Sequence, residues 1–211
     1  MSKYKGQLDI VDVDSLRFPI HVIGAGGIGS WTTLLLAKMG CQNINVYDFD
    51  LVEEHNTASQ FFEPSQLNMG KLDALYDNVE RQTGVKINKI TSTENEEKIN
   101  SGLVIFALDS MERRIALGEI LKDKDVFIID GRMGGTQLEI YSVHASRYLS
   151  TTVPPENVSQ EPCTRKAISF NCACIGGLIA NQVRHFANKV IKEQELVYLF
   201  DENRFFVSDI K

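Results

Sequence analysis

The sequence predicts an α/β fold, a doubly wound and mostly parallel sheet with antiparallel strands in its C-terminal part. Three observations predict it. Short β-rich runs alternate with helical stretches from residue 20 to about residue 130. Residues 103–108 (LVIFAL) are apolar throughout, as befits a strand buried on both faces of a parallel sheet. The first β-rich run leads into G-x-G-x-x-G, made by Gly24, Gly26 and Gly29, which in turn opens a helix.

Residues 1–19 read as a short strand or arm that Pro19 ends. The first strand covers His21, Val22 and Ile23, and the helix after the glycine turn runs to Met39, where Gly40 stops it. Residues 43–47 form the second strand, which ends in Asp48-Phe49-Asp50. Residues 51–69 are a polar loop holding Phe61-Phe62. Residues 70–83 form a helix with Leu72, Leu75, Tyr76 and Val79 on one face. Residues 85–90 are a third strand, 103–108 a fourth, 111–122 a helix, and 126–129 another buried strand with 138–143 pairing near it. Residues 144–162 hold three of the chain's five prolines and no periodicity, so a mobile loop over 144–163 is expected. A long helix from Ala167 to about Lys192 and a hairpin over 196–210 close the chain.

The 211 residues, 43% of them hydrophobic, fit a single domain spanning 1–211 with a substantial core. The net charge is −6, so a nucleic-acid backbone is a poor main ligand. The N-terminal stretch has no apolar leader segment, and no window of about 18 residues is apolar enough for a membrane. A soluble, cytoplasmic protein is expected. The cysteines are Cys41, Cys163, Cys172 and Cys174. No C-x-x-C pair occurs, so no structural zinc is expected, and Cys172 and Cys174 read as core.

The glycine turn reads as a phosphate cradle. Gly24 permits the sharp turn, Gly26 and Gly27 let backbone amides approach an anion, and Gly29 lets helix and strand pack closely. Asp48 lies about twenty residues further on, at the end of the next strand, where a carboxylate accepts from ribose hydroxyls. The bland alternative is a turn that only packs helix on sheet. His21, inside the first strand, reads as a satisfied core histidine.

Residues 20–135 resemble the ubiquitin-activating-enzyme superfamily in its small bacterial ThiF/MoeB-type form, a Rossmann-like fold. The match rests on GAGGIGS after a strand and on YDFDLVEEHN, similar to the family's D-x-D-x-V-x-x-x-N block. It rests further on Gln60 with Gly70-Lys71 downstream, and on Asp109-Ser110 with Arg114, similar to D-N-x-x-x-R. The resemblance implies ATP-dependent adenylation of a carboxylate, with ATP and Mg²⁺ as cofactors. The expected partner is a ubiquitin-like or sulfur-carrier protein ending in glycine, and the expected assembly a homodimer or heterodimer. Gly24–Gly29 and Lys71 would hold the phosphates, Asp48 the ribose, and Asp109 the Mg²⁺. Asp50 and Asn56 would shape the pocket and Gln60 would help place the triphosphate.

Each residue has a plainer reading. Lys71 could be a solvated first-turn lysine, Asp109 the N-cap of the following helix, Asp50 a turn residue and Asn56 an Asx-turn residue. Arg114 either pairs with a surface acid or lines the pocket.

Two departures matter. The family's N-x-x-R-Q block has Ser59 in place of arginine, and a second arginine, reaching across from a dimer partner, sits in an N-terminal helix that this chain lacks. Arg17, Arg113, Arg132, Arg165 or a partner subunit are the candidate replacements. Cys163, in Pro-Cys-Thr, resembles the catalytic cysteine of eukaryotic activating enzymes, and Arg165 and Lys166 beside it would favour thiolate. Its alternative is a loop cysteine that packs at the head of the helix. Two other functions stand beside adenylation. One is a noncatalytic, nucleotide-binding subunit of an activating enzyme, which Ser59 favours. The other is an NAD-dependent oxidoreductase, which would need neither Lys71 nor Asp109.

Overall fold

The computed structural model describes residues 3–152 and 167–210. Among them one sheet of eight strands runs in the order β3-β2-β1-β4-β5-β6-β7-β8. The strands are β1 (Ile20–Ile23), β2 (Ile44–Tyr47), β3 (Asn88–Ile90), β4 (Ser101–Phe106), β5 (Asp125–Gly134), β6 (Gln137–His144), β7 (Gln194–Leu199) and β8 (Arg204–Asp209). The first five pair in parallel. From β5 onward each pairing is antiparallel. This is the expected mixed sheet.

The helices are α1 (Gly27–Met39), α2 (Lys71–Thr83), α3 (Met111–Leu121), α4 (Ala145–Tyr148) and α5 (Ser169–Ala187). Alternate side chains of the strands point to opposite faces, and each face buries its own cluster. One cluster joins Ile20, Val22, Leu103, Ile105 and Ile129 to α1, α2 and α5. The other joins Ile23, Val104, Phe106 and Ile128 to Leu117 and Leu121 of α3 and to Tyr148 of α4. A strand covered on both faces must be apolar at every position, which is why 103–106 reads as a continuous run.

Several expectations need correction. Residues 3–19 form no strand: 3₁₀ turns occupy Lys5–Gln7 and Val13–Leu16, the second capped by the Asp12 carboxylate. The third strand is only Asn88–Ile90, although Val85 and Ile87 are buried ahead of it. β5 runs on to Gly134 because its last residues gain an antiparallel partner in β6. Part of the expected loop 144–163 is helical, namely α4 and a 3₁₀ turn at Leu149–Thr151. The long helix ends at Ala187 rather than near Lys192. The C-terminal hairpin is present as β7 and β8.

The parallel half is fixed by contacts that only glycine permits. A Cβ on Gly29 would sit 1.8 Å from the Gly24 carbonyl oxygen. Gly24, at φ +101°, would place its own Cβ 2.4 Å from the Ala107 carbonyl oxygen. A Cβ on Gly26 meets nothing within 4 Å. Gly29→Ala should therefore destabilise the fold by about 3 kcal/mol, the upper end of the overpacking range. Gly26→Ala should cost under about 1 kcal/mol, as for a helix N-cap change. Urea midpoints at unchanged slope would check both.

Candidate functional site

The order of the parallel strands reverses between β1 and β4, and both chains leave the sheet there in opposite directions. Such switch points leave a crevice at the carboxyl ends of the strands. Here the crevice is a cleft of about 1000 Å³ lined by Gly24, Gly26, Gly27, Asp48, Asp50, Asn56, Gln60, Lys71, Asp109, Arg114 and Arg132, among others. It therefore gathers nearly all the residues singled out from the sequence.

Gly26 is the N-cap of α1 and has no side-chain cap, so the first amides of the helix turn toward the cleft unpaired by any side chain. Asp48 pins this turn. Its carboxylate accepts from the Ala25 amide at 2.7 Å and from the Asp50 amide at 2.8 Å. Each oxygen keeps a second lone pair for a ligand hydroxyl. The sequence assigned Asp48 to a ribose and did not foresee that it also ties the glycine turn to β2.

Lys71 opens α2 and is not a solvated lysine. Its side chain is 10% exposed and its ammonium lies 2.8 Å from Asp50, which is 54% exposed. The Lys71 amide also donates to the Asp50 carbonyl, so the two residues form one unit at the cleft wall. Asn56 is buried, and its side-chain oxygen accepts from the Glu53 amide at 2.9 Å. That bond folds the turn at Glu54–Ala58, so the local-turn reading accounts for this side chain. Gln60 follows, and its side-chain oxygen is buried with no hydrogen-bond partner among the described residues. A water or a ligand donor in the cleft would satisfy this acceptor.

Asp109 follows β4 and is exposed to the cleft. The N-cap of α3 is Ser110, whose hydroxyl accepts from the Arg113 amide, so Asp109 does not cap the helix. One exposed carboxylate, completed by phosphate oxygens and waters, is a donor set that suits Mg²⁺.

The arginines divide cleanly. Arg17 pairs with Asp14 ahead of β1, at the opposite end of the strands from the cleft. Arg113 pairs with buried Glu96, whose carboxyl is raised chiefly by burial. Arg114 lies in the wall, 5% exposed, and donates to Asp130 and to the Leu108 and Gly131 carbonyls. Arg132 donates to Asp130 at 2.7 Å and to the Thr151 carbonyl at 3.0 Å. Ser59 is buried, and its carbonyl accepts from the Trp31 indole at 2.9 Å. Cys163, Arg165 and Lys166 lie outside the described residues. Cys172 is fully buried, its thiol pushed up to about 11 by burial, and Cys174 is half-buried.

Asp130 is the residue that sequence reasoning missed. Fully buried at the end of the parallel part of β5, it accepts from Arg114, from Arg132 and from the Tyr148 hydroxyl at 2.9 Å. The signal was present: an acid inside the apolar run of β5 must meet cations or cost stability.

The chain belongs to the ThiF family, whose model matches residues 6–211. It is 29% identical over 127 residues to ubiquitin-like modifier-activating enzyme 5 of Gallus gallus, covering 51% of this chain and 32% of that protein. With the Xenopus laevis protein of the same name it shares 30% over 118 residues, covering 47% and 30%. The chain thus aligns with about a third of the length of these relatives. Its fold matches Escherichia coli MccB with ATP at a TM-score of 0.77, with 14% identity over 93% of this chain and 65% of that one. It matches PaaA at a TM-score of 0.74, with 16% identity over 94% and 75%.

His21, beside this site, is the core histidine that the sequence led us to expect. Its ring lies 2.8 Å from the Tyr47 hydroxyl, and burial lowers its pKa from 6.5 to about 4. The unfolded chain therefore takes up this proton first. The stabilisation is complete above pH 6.5 and is lost as the pH falls toward 4. Urea midpoints measured across that window should fall more steeply for the wild type than for His21→Gln.

Proposed function

We propose that this chain adenylates a carboxylate with ATP. The observation that carries the reading is the sequence of groups along one cleft. Asp48 stands after β2, the first amides of α1, without a side-chain cap, beyond the end of β1, and Asp109 after β4. Lys71 and the unpaired Gln60 oxygen close the side. That is a ribose acceptor, a phosphate cradle, a metal acid and a cation in the order in which a nucleoside triphosphate presents its parts. ThiF-family membership supports the same reading.

In the proposed reaction a carboxylate oxygen bonds to the α-phosphorus and the bond to the bridging oxygen breaks, releasing pyrophosphate. The chemistry needs alignment and charge neutralisation more than covalent help. The glycine-turn amides hold the phosphates in line. Lys71 shares its charge between Asp50 and the phosphates. Mg²⁺ held at Asp109 would neutralise further charge. The Cys163 thiolate, two residues before the Arg165-Lys166 pair in sequence, would then attack the adenylate carbonyl, forming a thioester and releasing AMP.

The relatives named as ubiquitin-like modifier-activating enzymes, and the MccB structures solved with MccA, favour a protein or peptide carboxylate. A ubiquitin-like or sulfur-carrier protein ending in glycine is the preferred partner. A homodimer or heterodimer would bring the arginine missing at Ser59. That same position favours a second reading, a nucleotide-binding subunit that relies on a partner for turnover.

ATP–pyrophosphate exchange tests the proposal. Lys71→Ala or Asp109→Ala should lower it by about 100-fold or more, the effect of removing one well-placed charge-stabilising group. ATP-Mg should bind far more tightly than NAD in calorimetry. Tighter binding of NAD would exclude adenylation. Exchange that persists in both variants would remove these residues from the mechanism. Purified chain without exchange, regained on adding a partner subunit, would establish the second reading.

Cys163→Ala separates the later step. Exchange should stay near the wild-type rate, because it reports only the adenylate, while an adduct with the substrate that thiols cleave should vanish. A reducible adduct on the variant would make Cys163 a packing residue.

A further inference from the structure

The cation that the site lost at Ser59 has a counterpart on the other side of the cleft, and its surroundings indicate what it binds. We propose that Arg132 receives the carboxylate of the incoming substrate, with Asp130 as the residue that positions it. The proposal rests on the adenylation reading and adds the group that meets the nucleophile.

The first support is fixation. The Arg132 Nε donates to Asp130 at 2.7 Å. Its Nη1 donates to the Thr151 carbonyl at 3.0 Å and its Nη2 faces the Thr151 hydroxyl at 3.4 Å. The guanidinium carbon lies 4.1 Å from the centre of the Tyr141 ring. The side chain is 13% exposed, and it lines the cleft. A guanidinium held from three directions loses little further entropy when an oxyanion binds.

The second support is charge. Asp130 is fully buried and offers one negative charge to two guanidinium groups, Arg114 and Arg132. Glu139 stands opposite Arg132 in the sheet and keeps its negative charge, its carboxylate accepting from the neutral Gln137 amide at 2.6 Å. Glu195, one strand further, accepts from the Tyr141 hydroxyl at 2.6 Å and from the Ser208 hydroxyl at 3.0 Å. One carboxylate thus faces two guanidiniums in direct contact, and the Arg132 side chain reaches the cleft, where it can hold an oxyanion through a charge-assisted bond.

The third support is position, and it chooses between a phosphate and a carboxylate. Asp48, Gly24 and Asp109 follow β2, β1 and β4, adjacent strands in the sheet. They take up the ribose, the phosphates and the metal. Arg132 lies one strand further, in the part of β5 that continues past its last pairing with β4 at Asp130. It therefore stands beyond the nucleotide, on the side that opens toward the antiparallel half, from which a second substrate must approach.

The test uses the whole chain loaded with AMPCPP and Mg²⁺. The probes are a synthetic hexapeptide ending in Gly-Gly with a free carboxylate, and the same peptide as its C-terminal amide. Calorimetry should show the acid binding at least about tenfold more tightly than the amide to the wild type, as for a charge-assisted pair. Arg132→Gln should reduce that preference below about threefold, while its ATP affinity stays within about threefold of the wild type. Arg132→Lys, which keeps the charge near Asp130 and so guards against misfolding, should fall between. Equal binding of acid and amide by the wild type, binding of neither, or a preference retained in Arg132→Gln would overturn the proposal. A loss of tenfold or more in ATP affinity would also do so, by making Arg132 a phosphate ligand. Failure of the wild type to bind ATP at all would instead defeat the adenylation reading.

Discussion

The site depends on three stretches of backbone that touch where no side chain fits. Gly29 of α1 packs against the Gly24 carbonyl, and Gly24 packs against the Ala107 carbonyl. These contacts bring β1, the start of α1 and the exit of β4 into one place. Because β1 and β4 are neighbours in the sheet and their chains depart in opposite directions, the crevice between them cannot be closed by either connection. The same closeness aims the first amides of α1 at the crevice. Asp48 then locks the turn to β2 through the Ala25 amide. Binding geometry and packing geometry are thus one constraint, and the open space at Gly26 is the part that packing leaves unused.

A second constraint lies on the other side of the cleft. A buried carboxylate with one cation costs several kcal/mol in desolvation before attraction repays it, and breaking such a pair costs about 3–5 kcal/mol. Asp130 meets that cost with two guanidiniums and a tyrosine hydroxyl. Through them it joins distant parts of the chain. Arg114 carries the link to the Leu108 carbonyl, next to Asp109, while Tyr148 and Thr151 belong to the helical segment after β6. The turn that presents Asp109 and the segment 145–151 are held by a single charge.

The parallel half was legible because its physics is local in sequence. An apolar run, a glycine turn and a helix with one apolar face each leave a pattern of their own, and α2 falls where the spacing of Leu72, Leu75 and Val79 put it. The antiparallel half was less so. The end of β5 reads Gly131-Arg132-Met133-Gly134, which has no strand character, and it is a strand only because β6 pairs with it. The N-terminal segment carries its own turn signal in Asp12, which an apolar alternation around Val11 and Val13 concealed. Among candidate site residues, Asp48 was placed at the cleft by its spacing from the glycine turn and Lys71 by the family resemblance, and both line it. Asn56 was legible in its plainer form, as a turn former. Asp130 was not, because its importance comes from where Arg114, Arg132 and Tyr148 arrive in space.

The Ser59 position shows why one substitution cannot be read alone. The backbone carbonyl of Ser59 accepts from the Trp31 indole, a bond that any residue type at this position would keep, and the Trp31 ring lies against Phe61. The Phe61 amide in turn binds the Ser30 hydroxyl of α1. This stretch is therefore tied to α1 by two hydrogen bonds and a ring contact, and Ser59 is 8% exposed. The wall over β5 carries two guanidiniums on one acid. On the proposed adenylation reading, a leaving pyrophosphate would be met by Lys71, by a metal at Asp109 and by whatever a partner subunit contributes.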